Sequence, residues 1–145
     1  MVDVGDKEIT RRNAVACGFI RMSEECFRMV EAGTHKKGDV LATARIAGIM
    51  GAKKTSELIP LCHNISLNKI SVDFELVDDS SRIKAICTVS CDAKTGAEME
   101  ALTGAGTALL CIYDMCKAID KGMIVEELRL VRKSGGASGD YEAEV

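Results

Sequence analysis

Two runs with a period of two residues constrain this chain most. From Lys69 to Leu76, the apolar Ile70, Val72, Phe74 and Leu76 alternate with Lys69, Ser71, Asp73 and Glu75. Further on, Ile83, Ala85, Cys87, Val89 and Cys91 alternate with mostly polar neighbours. Successive strand side chains point to opposite faces, so each run has one face to bury. Asp78-Asp79-Ser80-Ser81 between them reads as a turn, and the pair as an antiparallel hairpin. Its apolar face must be covered by another layer.

Helices supply that layer. Ser23 is a natural N-cap, with Glu24 and Glu25 in the first turn of a short helix that Gly33 ends. Asp39 caps a second helix, Val40 to Lys53. Its run Ile46 to Ala52 is apolar nearly all round, which predicts burial, partly against another subunit. The longest helix is expected from Ala97 to Asp120, stopping at Gly122. Strands at Arg12–Met22 and Met123–Arg132 complete the order β-α-α-β-β-α-β. That order predicts an α+β, ferredoxin-like βαββαβ arrangement, an antiparallel sheet with helices packed on one face. Several strands are apolar on both faces, which predicts further packing between subunits.

At 145 residues the chain fits one domain, residues 1–145. Aromatic residues make up only 3%, which argues against a base-stacking nucleic-acid module. A net charge of -3 gives no general attraction to nucleic acid or an anionic membrane. The basic pairs Arg11-Arg12, Lys36-Lys37, Lys53-Lys54 and Arg132-Lys133 suit a small anionic ligand instead. Seven cysteines, an odd number without a secretory signal, argue against a disulfide framework and for a cytoplasmic location. No apolar run approaches membrane-spanning length.

Asp114 and Lys117 are three residues apart on the long helix and share a face. They read either as a proton donor and acceptor or as an ordinary surface ion pair. Asp114 favours the charged lysine, so acid/base work by Lys117 requires further cations to converge on it. Lys37-Gly38-Asp39 stands at a helix start, where backbone N–H groups attract anions. The run from Lys133 through Ser134, Gly135, Gly136, Ala137 and Ser138 to Gly139 could form an N–H nest for phosphate, or a flexible tail. Glu98 and Glu100 are turned apart by helical geometry and should not act as a coupled dyad. Cys62-His63 invites a metal or nucleophile reading, yet no C-x-x-C pair exists, and Cys87 and Cys91 read as buried small apolar residues. No metal site is expected. A nucleotide-binding module without catalysis remains an alternative, as does a thiol-based metal or redox protein.

Several stretches together resemble the molybdenum-cofactor biosynthesis protein C family, the cyclic pyranopterin monophosphate synthases. They are Met1-Val2-Asp3-Val4, Lys37-Gly38-Asp39-Val40-Leu41, Ala44-Arg45-Ile46-Ala47-Gly48-Ile49, Leu58-Ile59-Pro60-Leu61-Cys62-His63, Thr95 to Thr103, Tyr113-Asp114-Met115-Cys116-Lys117-Ala118 and Lys133-Ser134-Gly135-Gly136. The resemblance spans nearly the whole chain in order. It implies a lyase that converts (8S)-3′,8-cyclo-7,8-dihydroguanosine 5′-triphosphate to cyclic pyranopterin monophosphate and pyrophosphate. It further implies a ferredoxin-like fold and a homohexamer, a trimer of dimers with active sites between subunits. A separate radical GTP cyclase would act upstream. Carried over by motif, Asp114 and Lys117 are the catalytic pair. Leu61, Cys62, His63, Met99 and Glu100 contact substrate, and Lys37, Arg12 and Lys133 hold its charged groups. No cofactor is implied, although Mg2+ accompanying the triphosphate is compatible with the chemistry. The chain departs from the family pattern at Asn64, where proline is usual, and at Ala137, where lysine is common. Gly104 and Gly106 stand where somewhat larger residues are usual.

Overall fold

The computed structural model describes residues 1–144. Its main elements are β1 (Thr10–Arg21), α1 (Glu24–Ala32), α2 (Val40–Lys53), α3 (Thr55–Leu58), β2 (Leu67–Val77), β3 (Arg82–Ala93), α4 (Glu98–Cys116), β4 (Ile124–Ser134) and β5 (Tyr141–Glu142). The sheet order is β2-β3-β1-β4-β5, and every described pairing is antiparallel. Without the short β5, this is the ferredoxin-like order that the alternating runs predict.

The hairpin forms as expected. Ile70 faces Val89, Val72 faces Cys87, Phe74 faces Ala85 and Leu76 faces Ile83, so apolar residues meet apolar residues across the ladder. A 3₁₀ turn at Asp78–Ser80 joins the strands, with Ser81 in the left-handed region at φ 48°. On β3, Ile83, Ala85, Cys87, Val89 and Cys91 are all completely buried. The opposite sheet face carries Phe19, half-buried beneath the guanidinium of Arg82 at 4.3 Å. Half-buried Val15 and Ile86 lie on that same face.

Both predicted caps are present. The Ser23 side chain accepts from the Cys26 N–H at 3.2 Å, and Asp39 Oδ1 accepts from the Ala42 N–H at 3.0 Å. Gly33 closes α1 at φ 68°. Pro60 sits just past α3, which ends with Ile59 already extended, as a residue before proline prefers.

Helices α2 and α4 pack on one face of the sheet and against each other. Their axes approach through missing side chains. A Cβ on Gly48 would lie 2.9 Å from the Gly104 carbonyl oxygen, and one on Gly104 would lie 2.5 Å from Cys87 Sγ. Gly51 makes room for Thr107 in the same way. Gly104 therefore answers to packing rather than to helix propensity. Gly106 is in a milder position, where a Cβ would meet Leu128 Cδ2 at 3.3 Å.

Within one chain, helix α2 turns Ala44, Gly48, Gly51 and Ala52 inward, while Ile46 and Met50 are each 58% exposed and open to the contact with another subunit that the sequence predicts. One expectation needs correction. The long helix stops at Cys116 rather than Asp120. The Asp120 carboxylate accepts from the Ser23 and Gly122 N–H groups, both at 2.8 Å. A residue tying α1's start to the next turn does not continue the helix.

Gly104→Ala should destabilise the protein by about 1–3 kcal/mol through overpacking against Cys87, outweighing a helix-propensity gain of about 1 kcal/mol. Urea unfolding measures this; a stability equal to or above wild type would show that the close approach is not limiting.

Candidate active site

Helix α4 carries candidate residues at both ends. From Glu98 to Asp114 it advances sixteen residues, about 24 Å at the α-helical rise. The residues singled out in the sequence divide into two groups along it.

At the C-terminal end, Lys117 Nζ donates to Asp114 Oδ1 at 2.9 Å. Both side chains are more than half exposed. Lys37, from the loop before α2, reaches the same turn and donates to the Asp114 carbonyl oxygen at 3.3 Å. One converging cation is thus present. Lys117's hydrogen bond, its charge and then the Lys37 charge hold the Asp114 carboxyl below its ordinary range. Asp114's hydrogen bond and charge push Lys117 upward. The pair thus keeps both groups ionised, and each makes the other a weaker proton acceptor or donor than it would be alone.

The N-terminal end gathers the other group. Arg12 is 7% exposed, and its guanidinium donates to the carbonyls of Ala93 at 3.1 Å and Lys94 at 3.2 Å. Lys133 Nζ, on β4, donates to Glu98 Oε1 at 2.9 Å and to Ser138 Oγ at 3.0 Å. The 135–139 segment folds back over these cations, with Gly135, Gly136 and Gly139 at φ 91°, 85° and 75°. A Cβ on Gly136 would collide with the Arg12 guanidinium. Glycine is required there for close approach as well as for backbone conformation. Ala137, just beyond, is exposed.

Glu98 and Glu100 turn to different partners, as helical spacing requires. Burial raises Glu98, but the Lys133 hydrogen bond, its own backbone N–H and the charges of Lys133 and Arg12 outweigh it, leaving a lowered carboxyl. Glu100 is 3% exposed, and burial pushes it upward against its backbone N–H and the Cys62 thiol. Its Oε1 lies 3.8 Å from Cys62 Sγ, and its Oε2 is buried without a partner among the described residues. Two carboxylates two residues apart thus differ in their readiness to hold a proton.

Leu61, Cys62, His63, Glu98 and Met99 line one cavity of about 340 Å3. His63 Nε2 is 2.7 Å from the Val2 carbonyl oxygen. A second cavity of about 520 Å3 has Glu100 in its wall with Lys53, Lys69, Asn64 and Asn68. Asn64, in place of the usual proline, therefore faces open space. Burial and the Glu100 charge raise the Cys62 thiol, and burial alone pushes Cys87 up to about 12. These are not activated thiolates. Among the described residues no three potential ligands converge on a metal position, so the thiol-metal reading has no geometric support. No described helix is long and apolar enough to cross a membrane.

The MoaC family model matches residues 1–136. This chain belongs to the MoaC family. A protein from Clostridium botulinum, named cyclic pyranopterin monophosphate synthase, is 54% identical over 141 residues, covering 97% of this chain and 89% of its own length. One of the same name from Peptoclostridium acidaminophilum is 50% identical over 144 residues, covering 99% and 90%. Among solved structures, the ferredoxin protease FusC in complex with Arabidopsis ferredoxin matches 72% of this chain and 10% of its own, at 15% identity and a TM-score of 0.40.

For this MoaC-family chain, the structure adds Glu98 and Ser138 as partners of Lys133, one of the residues singled out in the sequence. Glu98 was visible as an acid at a helix start. Nothing in the spacing indicated that Lys133, thirty-five residues away, would meet it. The tail likewise reads as flexible or as a nest, whereas Ser138 binds the Lys133 ammonium.

The lowered Glu98 carboxyl contributes stability that is present above the unfolded value of about 4.3 and is lost as pH falls through the folded value. Lys133→Ala should raise the Glu98 midpoint in a carboxyl-carbon NMR titration. It should also remove roughly 1 kcal/mol of stability at pH 7, since the pair is partly exposed. A Glu98 midpoint unchanged in the variant would dissolve the pair.

Proposed function

We propose that this chain is a cyclic pyranopterin monophosphate synthase of molybdenum-cofactor biosynthesis. Its substrate is (8S)-3′,8-cyclo-7,8-dihydroguanosine 5′-triphosphate, and its products are cyclic pyranopterin monophosphate and pyrophosphate. The observation that carries this reading is the placement of the motif residues. All ten fall at the two ends of one helix, in groups whose charges suit proton transfer and anion binding. Two relatives at 50% and 54% identity bear the name of that enzyme.

The chemistry divides between the groups. Opening the purine ring and closing it as a pterin needs several proton transfers. Asp114 and Lys117 are the pair assigned to these transfers; their mutual attraction holds both ionised, so the transfers require substrate to break the ion pair. A sugar hydroxyl then attacks the innermost phosphorus, and the bond from that phosphorus to the pyrophosphate oxygen breaks. Arg12, Lys37 and Lys133 neutralise the triphosphate and the charge growing on the leaving group. Leu61, Cys62, His63, Met99 and Glu100 shape the site for the ring system. No resident cofactor is assigned; Mg2+ accompanying the triphosphate is compatible with this scheme.

The separation along α4 bears on assembly. A single small substrate does not bridge about 24 Å, so each site takes the Asp114 group from one subunit and the Arg12 group from another. Exposed Ile46, Met50 and Leu110 on the helical layer, with the uncovered sheet face, supply apolar surface for such contacts. We assign a homohexamer built as a trimer of dimers, a cytoplasmic location, and a functional link to an upstream radical GTP cyclase.

Single-turnover conversion of the cyclised dihydro-GTP, followed by pyrophosphate release and the fluorescence of the oxidised pterin, tests the reaction. Asp114→Asn and Lys117→Ala should each abolish turnover without loss of assembly. Refolding Asp114→Asn together with Lys133→Ala should restore about a quarter of wild-type activity, since random pairing leaves one site in four intact. Silence of the mixture would place both groups' function within a single chain. Binding of substrate by wild type without conversion would favour a nucleotide-binding module.

A further inference from the structure

We propose that His35 is a positioning residue for Lys37, holding its backbone so that the ammonium reaches the C-terminal turn of α4 beside Asp114. The catalytic consequence rests on the function proposed above; the contact itself does not.

The segment Thr34–Gly38 is exposed at Thr34, Lys36, Lys37 and Gly38, yet His35 within it is only 9% exposed. Its Nδ1 accepts the Lys37 backbone N–H at 3.0 Å. Its carbonyl oxygen accepts the Gly38 N–H, also at 3.0 Å, which closes a four-residue turn. Gly38 completes that turn at φ 103°, a conformation that L side chains rarely adopt. Lys37 is thereby held on both sides, and its Nζ donates to the Asp114 carbonyl oxygen at 3.3 Å.

The rest of the ring argues that this bond is the reason for a histidine. Because Nδ1 accepts, the ring proton resides on Nε2. Nε2 is buried without a partner among the described residues. For filling space alone, leucine or phenylalanine would serve better, because a buried N–H without an acceptor opposes folding. What an apolar side chain cannot supply is the acceptor at Nδ1. Lys37 precedes the Asp39 cap, so its N–H has no helical acceptor and depends on this one. A long lysine side chain loses much rotamer freedom on binding an anion, and fixing its backbone reduces what remains to be ordered.

The test compares His35→Leu, which removes the acceptor, with His35→Asn, which keeps an oxygen on the γ-carbon. In turnover of the cyclised dihydro-GTP by the full chain, the Leu variant should raise KM about tenfold with kcat within about twofold, the pattern of a lost binding contact. The Asn variant should recover most of that loss. In a Lys37→Ala background, His35→Leu should add nothing, because a residue acting through Lys37 has nothing left to position. Amide exchange at Lys37 should be faster in the Leu variant than in wild type. An unchanged KM in the Leu variant overturns the proposal. So does equal impairment of Leu and Asn variants, or a full additional effect in the Lys37→Ala background. If the Leu variant fails to assemble, His35→Phe takes its place with the same expectations. A wild type that turns over nothing defeats the function proposed above, while Lys37 amide exchange still decides whether His35 holds the loop.

Discussion

The rest of the structure depends on the close approach of α2, α4 and β3 at Gly48, Gly104 and Cys87. Side chains are absent where the two helices cross, and a thiol fills the remaining space against the sheet. Interiors are packed to near-crystalline density, so such a contact fixes position to within a fraction of an ångström. Helix α4 is the element so fixed, and it presents candidate residues at both ends. Its placement therefore sets where Glu98, Glu100, Asp114 and Lys117 stand relative to the sheet.

Charge is distributed differently at those two ends. At the C-terminal end the pair is open to water, and its mutual attraction keeps both groups ionised. At the N-terminal end, burial separates two nearby carboxyls. Glu98 is stabilised as an anion by Lys133 and Arg12, while Glu100 is pushed toward its protonated form. Proton transfer in several steps calls for groups that differ in proton affinity, and one helix supplies them. Arg12 is placed by the backbone carbonyls of residues 93 and 94, and Lys133 by the side chains of Glu98 and Ser138, the latter on a loop folded through three glycines.

Legibility followed the range of the interactions. The hairpin could be read because strand alternation is local and its turn residues are next to it in sequence. Both helix caps could be read because Ser23 and Asp39 bond to N–H groups three residues away. The end of α4 could not, because Asp120 is engaged by Ser23 from the far side of the chain. That Ile46 and Met50 face outward within one chain could not be read, because periodicity reports how much apolar surface a helix has, not which part this chain covers. His35 gave no signal at all; an isolated histidine in a polar loop acquires meaning only from the distance to the Lys37 N–H.

The sequence by itself determined the order of the elements other than the short α3 and β5, the apolar face of the β2–β3 hairpin, the caps of α1 and α2, and, through long contiguous motifs, membership of the MoaC family. Those features arise from neighbours along the chain and survive in any compact arrangement of it. Only the tertiary structure decided that Lys37 joins Asp114 and Lys117, that Lys133 meets Glu98, and that the two groups stand a helix length apart. These juxtapositions arise from packing between segments distant in sequence, where the position of one side chain depends on the volume of all the others.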